Sequence, residues 1–289
     1  MGIENVFRYS AFADEASSDL TGQIDAMNSN GIEMLEIRGV NGKNISQVSV
    51  VEAKDIQKQL NNSGLSVWSI GSPTGKIGIK DDFELHLDQF KHMLELAEIF
   101  GAKKYRFFSF FIRESDLRNG KVPSGMRDMV IERLGRIEEA AKGSNIVLCH
   151  ENEKDIYGQG AENCLDIHKN FPNIKAVFDP ANFIQCGVDT IKAWEMLEPY
   201  VDYMHIKDAM RDGRVVPAGY GVGNVKELIN RYKNIGGKVL SLEPHLTVFE
   251  GFNELEKSRN NKASDEKAFV YTSQNKAFEA AAKALKDLL

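Results

Sequence analysis

"NIVLCHENEKDIYG" (residues 145–158) sets an apolar, β-forming run directly against four polar residues, His150, Glu151, Asn152 and Glu153. The run is the length of one strand and too short for a helix. The same unit, a short β-rich run, a turn and a longer amphipathic stretch, recurs along the whole chain. Its strand-like members are "FRYSAFA" (7–13), "MLEIR" (34–38), "LSVWSI" (65–70), "KYRFFSF" (104–110), "NIVLCH" (145–150), "IKAVFD" (174–179), "VDYMHI" (201–206) and "KVLSLE" (238–243). Between them lie helical patterns such as 20–31, 83–101 and 126–143, each closed by a glycine suited to the left-handed position that ends a helix. Strand and helix alternating eight times, with crossover-length connections, predict a closed parallel (β/α)8 barrel rather than an open sheet.

The 289 residues suit that fold as one domain spanning 1–289. A charged, apolar-poor stretch at about 246–270 reads as a solvated excursion before a last helix at 275–289. Hydrophobic residues make up 42% and charged residues 27%, enough to bury a core beneath an ordinary surface. The net charge of −6 argues against nucleic acid as a partner. No apolar run approaches the length that spans a bilayer, so no membrane partner is expected. The three cysteines, Cys149, Cys164 and Cys186, have no metal-type spacing, and the first residues do not read as a secretory signal. These features point to a reduced, cytoplasmic protein. The sequence leaves self-association open.

In a barrel of this kind the chemistry sits at the C-terminal ends of the strands. Counting with the strand period of two, Val147, Cys149 and Glu151 share the inward face and His150 points outward as a structural histidine. The next three strands end alike, on Asp179, His205 and Glu243. Three carboxylates converging without a counter-charge would repel one another and resist burial. A single divalent cation resolves the conflict. One imidazole and three carboxylates make an oxygen-rich set that favours Mn²⁺, with Mg²⁺, Zn²⁺ or Co²⁺ also able to bind. The competing reading, that each acid caps a helix or pairs with a lysine, fits an isolated glutamate better than four residues in register.

Other polar residues fall on the same face. Lys207 shares the parity of His205 and is expected to contact a substrate oxygen in preference to pairing with Asp208. His245 stands in the same relation to Glu243 and suits a substrate hydroxyl or the metal's water, or else a backbone bond. Glu36 and Arg38 face inward at the end of the second strand, where they pair with each other or orient a polyol. "SPTGK" (72–76) places Lys76 at the active face as a substrate contact, with a phosphate the lesser reading because the full phosphate-loop pattern is lacking.

The stretches "FADE" (12–15), "LEIRGVNGKNI" (35–45), "SPTGKI" (72–77), "RFFSFF" (106–111), "HENEKDIYG" (150–158), "FDPANF" (178–183), "HIKDA" (205–209) and "LEPHL" (242–246) together resemble the sugar phosphate isomerase/epimerase group of xylose-isomerase-like TIM barrels. The resemblance runs from the first strand to the last. It implies a metal held by Glu151, Asp179, His205 and Glu243, with the two glutamates also handling protons, as in epimerase members. Related members include ketose 3-epimerases, hydroxypyruvate isomerases and inosose dehydratases. Many relatives carry a histidine where this chain has Asn182, which could bind a substrate hydroxyl but not titrate. Arg211 keeps the spacing of an arginine found six residues after the metal histidine in epimerases. Tyr157 stands where those members usually have an acid.

The expected activity is metal-assisted removal of the proton next to a carbonyl of a sugar, keto-polyol or sugar phosphate. Two bases on opposite faces make an epimerase; loss of a β-hydroxyl from the same enediolate makes a dehydratase. A metal-bound sugar-binding or partner subunit is the reading from another class. An endonuclease IV-like nuclease would need more zinc ligands than six histidines readily supply.

Overall fold

The computed structural model describes residues 7–118, 121–247 and 269–289. Eight parallel strands close into a barrel: β1 (Arg8–Ala11), β2 (Met34–Ile37), β3 (Ser66–Gly71), β4 (Lys104–Phe107), β5 (Val147–Glu151), β6 (Lys175–Phe178), β7 (Val201–Ile206) and β8 (Val239–Leu242). Each strand pairs with its neighbours in chain order, and β1 meets β8 in the register Arg8↔Val239 to Ala11↔Leu242. All eight runs expected from the sequence are barrel strands. Their ends differ by a few residues where the last side chains have left the ladder to line the mouth.

The outer helices include α1 (Leu20–Ser29), α2 (Val50–Asn62), α3 (Phe83–Phe100), α4 (Ser124–Ala140) and α5 (Ala161–Asn170). The chain continues through α6 (Pro180–Gln185), α7 (Thr190–Leu197), α8 (Val225–Asn234) and α9 (Gln274–Leu288). Their stops follow local chemistry. Helix α3 ends at Gly101, whose φ of 65° is the left-handed conformation that a side chain would strain. Helix α2 starts on Ser49, which forms a reciprocal cap with Glu52. The excursion expected at about 246–270 falls largely on residues 248–268, outside the described residues.

Two apolar layers hold the barrel. The larger lies between strands and helices, with Phe90, Met93, Leu134, Ile167, Trp194 and Leu228 buried in it. The smaller, inside the barrel, contains Met34, Cys149, Val177, Tyr203 and Val239. Cys149 in that inner layer fixes the parity of β5, so Glu151 also points inward, one layer higher. His150 points out, its Nε2 3.0 Å from Ser109 Oγ. The inner apolar layer thus closes the lower barrel and leaves its mouth to polar groups. Among the described residues no helix is long and apolar enough to cross a membrane.

Candidate metal centre

Glu151 ends β5, Asp179 follows β6, His205 lies in β7 and Glu243 follows β8. One ligand atom from each lies within 4.8 Å of the others, and all four residues are buried. Asp179 has two duties. Its Oδ1 accepts from Asn182 N at 2.9 Å and caps α6, the role foreseen by the competing reading. Its Oδ2 is turned into the mouth, where it faces Lys207 Nζ at 3.0 Å.

His205 shows what the cluster is built to present. Its Nε2 lies 3.0 Å from Glu36 Oε2. Glu36 is anchored by Tyr203 Oη at 2.7 Å and Ser241 Oγ at 2.8 Å. Burial works against a charged Glu36, yet His205 and Arg106 hold its carboxyl below the usual range, so it accepts the Nε2 proton. That bond fixes the ring and turns Nδ1 toward Glu151 Oε1 at 2.9 Å, Glu243 Oε2 at 3.4 Å and Asp179 Oδ2 at 3.9 Å. An imidazole whose far nitrogen donates to a carboxylate is oriented as a metal ligand requires.

The electrostatics point the same way. Burial, with Glu151 and Glu243 nearby, pushes the Asp179 carboxyl up to about 7 despite Lys207 beside it. Burial likewise pushes Glu15 up to about 8 against the pull of Arg38. Burial opposes a charged His205, but Glu151, Glu36 and Glu243 outweigh it and raise its pKa well above the ordinary value. Burial drives the Asp179 and Glu15 shifts, and the carboxylates around His205 drive its own. The inward Asp179 oxygen, an oriented imidazole nitrogen and two further carboxylates fit a hard divalent cation.

The neighbouring residues take places that the sequence did not all foresee. Lys207 Nζ lies 2.7 Å from Glu243 Oε2 and 3.0 Å from Asp179 Oδ2, inside the cluster. Asp208 does not pair with it; that carboxylate accepts from the backbone N–H groups of Ala209, Gly219, Gly221 and Gly223. Asn182 Nδ2 donates to Glu151 Oε1 at 3.2 Å and to the Asn152 carbonyl at 2.9 Å. Glu36 and Arg38 do not pair with each other, because each is engaged by other partners. Glu36 goes to His205, whereas Arg38 binds Asp14 in two bonds, Glu15 Oε1 at 3.0 Å and Glu243 Oε1 at 3.0 Å. Glu36 is therefore a support for His205 rather than an open polyol contact.

His245, at a left-handed φ of 47°, has its ring 3.4 Å from Glu15 and 3.5 Å from Glu243. Lys76 forms a buried pair with Glu153 at 3.1 Å. Arg211 is exposed on the turn of a hairpin formed by Asp208–Ala209 and Val215–Val216, beside a cleft lined by Asp189, Thr190 and Asn224. That cleft contains none of the four clustered residues. Tyr157 Oη donates to Asp166 at 2.7 Å, outside the cluster.

The sequence reading missed Asp14, Glu15, Arg106 and Glu153 as site residues. Arg106 is 1% exposed, with Nε 3.2 Å from Glu151 Oε2. Its signal was parity: an arginine at an inward strand position, two residues after Lys104. The signal for Glu15 was an acidic pair directly after a strand.

Many solved structures share the fold, three of them as follows. The probable 3-DHS dehydratase AsbF, involved in petrobactin synthesis, from Bacillus anthracis is 17% identical, with 97% of this chain and 98% of that one covered at a TM-score of 0.72. An L-ribulose 3-epimerase is 16% identical, covering 98% and 94% at a TM-score of 0.73. A xylose isomerase-like TIM barrel protein from Mycobacterium smegmatis, in complex with magnesium, is 16% identical, covering 98% and 97% at 0.67. No curated protein sequence matches. The family model for xylose isomerase-like TIM barrels matches residues 24–271, and the chain belongs to that family.

Proposed function

We propose that this protein is a divalent-metal-dependent enzyme, with Mn²⁺ the favoured ion, that isomerises or epimerises a sugar or keto-polyol by removing the hydrogen beside its carbonyl. The observation that carries the reading is His205 Nδ1, turned toward Glu151, Asp179 and Glu243 by the Glu36 bond behind it. A divalent ion at these four residues would polarise the carbonyl and its neighbouring hydroxyl and acidify the hydrogen between them. Glu151 accepts that proton as the C–H electron pair forms the C=C bond of an enediolate. Asn182 and Arg106 hold the Glu151 carboxylate in place. Return of a proton to the opposite face from Glu243, which must enter the cycle protonated, inverts the centre.

A second reading, a dehydratase, has its own support. Glu243 is clamped by Arg38 at 3.0 Å and Lys207 at 2.7 Å. Although burial opposes it, Lys207, His245 and His205 hold its carboxyl well below the usual range. A carboxylate held so firmly is a reluctant proton carrier, which suits one working base on a single face and loss of a β-hydroxyl as water.

Ketoses and keto-inositols incubated in D2O with the metal-loaded enzyme and followed by NMR test the reading. Deuterium entering next to the carbonyl, and its loss in Glu151→Gln, is the expected result. Inversion assigns the epimerase and an enone product the dehydratase. Absence of both exchange and elimination across the panel would refute the proposal.

A further inference from the structure

The loops that follow β3, β4 and β5 are zipped into one platform at the mouth. Phe108 N donates to the Thr74 carbonyl, Phe110 N to Gly75, Tyr157 N to Phe110 and Ile112 N to Asp155, at 2.8–3.0 Å. Gly75 makes the close approach feasible, since a Cβ there would lie 2.0 Å from the Phe108 carbonyl oxygen. Phe110 and Asp155 both take left-handed backbone, at φ 68° and 63°, a strain that the zipped loops sustain.

This platform holds Lys76 against Glu153. The two side chains are 7% and 8% exposed, Nζ lies 3.1 Å from Oε2, and the ammonium also stands 4.4 Å from the Phe108 ring centroid. Glu153 Oε1 accepts from Lys154 N at 2.9 Å. Glu153 comes two residues after Glu151, and it acts electrostatically on Lys207 in the cluster. On the outer side, Lys76 lines a cleft of about 420 Å³ with Ile77, Phe111 and Ile112 as its apolar wall. Lys76 thus borders the cleft, and Phe108, whose ring centroid also lies 4.5 Å from the Arg106 guanidinium beside Glu151, links the pair to the cluster.

We propose that the Lys76–Glu153 pair and the cleft beyond it form a distal subsite for the uncharged, hydroxyl-bearing end of the substrate, and that this subsite rejects a phosphate. The inference rests on the reading of the neighbouring cluster as the reacting centre. An ammonium has three donors, and each carboxylate oxygen can accept more than one bond, so the pair can hold a hydroxyl that accepts from Lys76 and donates to Glu153. A phosphate beside Lys76 meets the Glu153 carboxylate at the same time. Among the described residues the outer wall of the cleft carries Asp81, Glu114 and Asp155 against Arg113, all exposed to solvent. The charge discrimination therefore rests on Glu153, buried beside Lys76, where solvent screens least. The apolar wall suits the carbon skeleton of the same end.

The test measures binding by calorimetry for neutral ketoses and their terminal phosphates, D-fructose and D-fructose 6-phosphate first, on the metal-loaded protein. The neutral member of a pair is expected to bind at least tenfold more tightly. In Glu153→Gln that preference shrinks tenfold or reverses. In Lys76→Met, which keeps the apolar stem, the neutral sugar weakens and the phosphate gains nothing. Thermal melting of both variants shows that the barrel is retained, and the two substitutions check each other should one fail to fold. Tighter binding of phosphates by the parent protein, indifference to both substitutions, or binding of neither series would overturn the proposal. Deuterium exchange on a phosphorylated sugar alone sinks this inference and leaves the proposed function standing. Charge-selective binding without exchange on any sugar does the reverse.

Discussion

Replacing Glu36 by Gln removes one charge beneath the cluster while keeping the shape of the side chain. The carboxylate accepts from Tyr203 Oη at 2.7 Å, Ser241 Oγ at 2.8 Å and Ser69 Oγ at 3.4 Å, besides its bond with His205 Nε2 at 3.0 Å. A glutamine has one acceptor oxygen and one donor nitrogen, so it cannot accept all four. If its oxygen serves His205, its NH2 must face a hydroxyl that can rotate to accept. The imidazole then keeps its orientation but loses the charge that made Nδ1 a stronger donor. Loss of such a carboxylate behind a metal histidine costs about 10–100-fold in affinity, or roughly 1.4–2.7 kcal/mol. Competition against a fluorescent chelator measures the affinity for Mn²⁺, and circular dichroism checks the fold. Unchanged Mn²⁺ affinity in a folded Glu36→Gln protein would refute the argument that Glu36 sets His205 for a cation.

Other outcomes follow from the same geometry. Asp208→Ala leaves four backbone N–H groups without their acceptor, so urea melts should show a loss of about 3 kcal/mol; a loss below about 1 kcal/mol would contradict that. Gly75→Ala forces a left-handed φ of 86° and a backbone clash with Phe108, and should cost more than about 1 kcal/mol by the same measurement. His86 accepts from Gly75 N through Nε2, and burial together with Arg133 lowers its pKa to about 4 from the ordinary 6.5. The unfolded chain therefore binds the proton first, and stability present above pH 6.5 is lost as the pH falls toward 4. His86→Gln should lose less stability than the parent across that window, and parallel pH profiles would count against a neutral His86.

The eight strands were legible as short β-rich runs set between longer amphipathic stretches, and the four clustered residues were legible because each comes at a strand's end. Less legible was everything that depends on how neighbours around the barrel face one another. Arg38 meets Asp14 and Glu15 on the first βα loop and Glu243 on the last strand's end, 205 positions away. No local pattern signals a guanidinium shared among those carboxylates. Arg106 was hidden within an aromatic run, although its parity matched that of Glu151. For Arg211 the spacing was right and the place was not. The hairpin of Asp208–Ala209 with Val215–Val216 carries its turn to the surface. Spacing along the chain cannot show whether the residues after a strand continue into the mouth or fold back on themselves.

Elemental analysis of the purified protein, set beside His205→Ala, tests the central claim most directly. Both proteins are loaded with Mn²⁺, dialysed against metal-free buffer and measured for metal per chain, with circular dichroism to verify the barrel. The account predicts one divalent ion per chain in the parent and a small fraction of that in the folded variant. Undiminished stoichiometric metal in His205→Ala would contradict it, because the ion would then reside somewhere other than at Glu151, Asp179, His205 and Glu243.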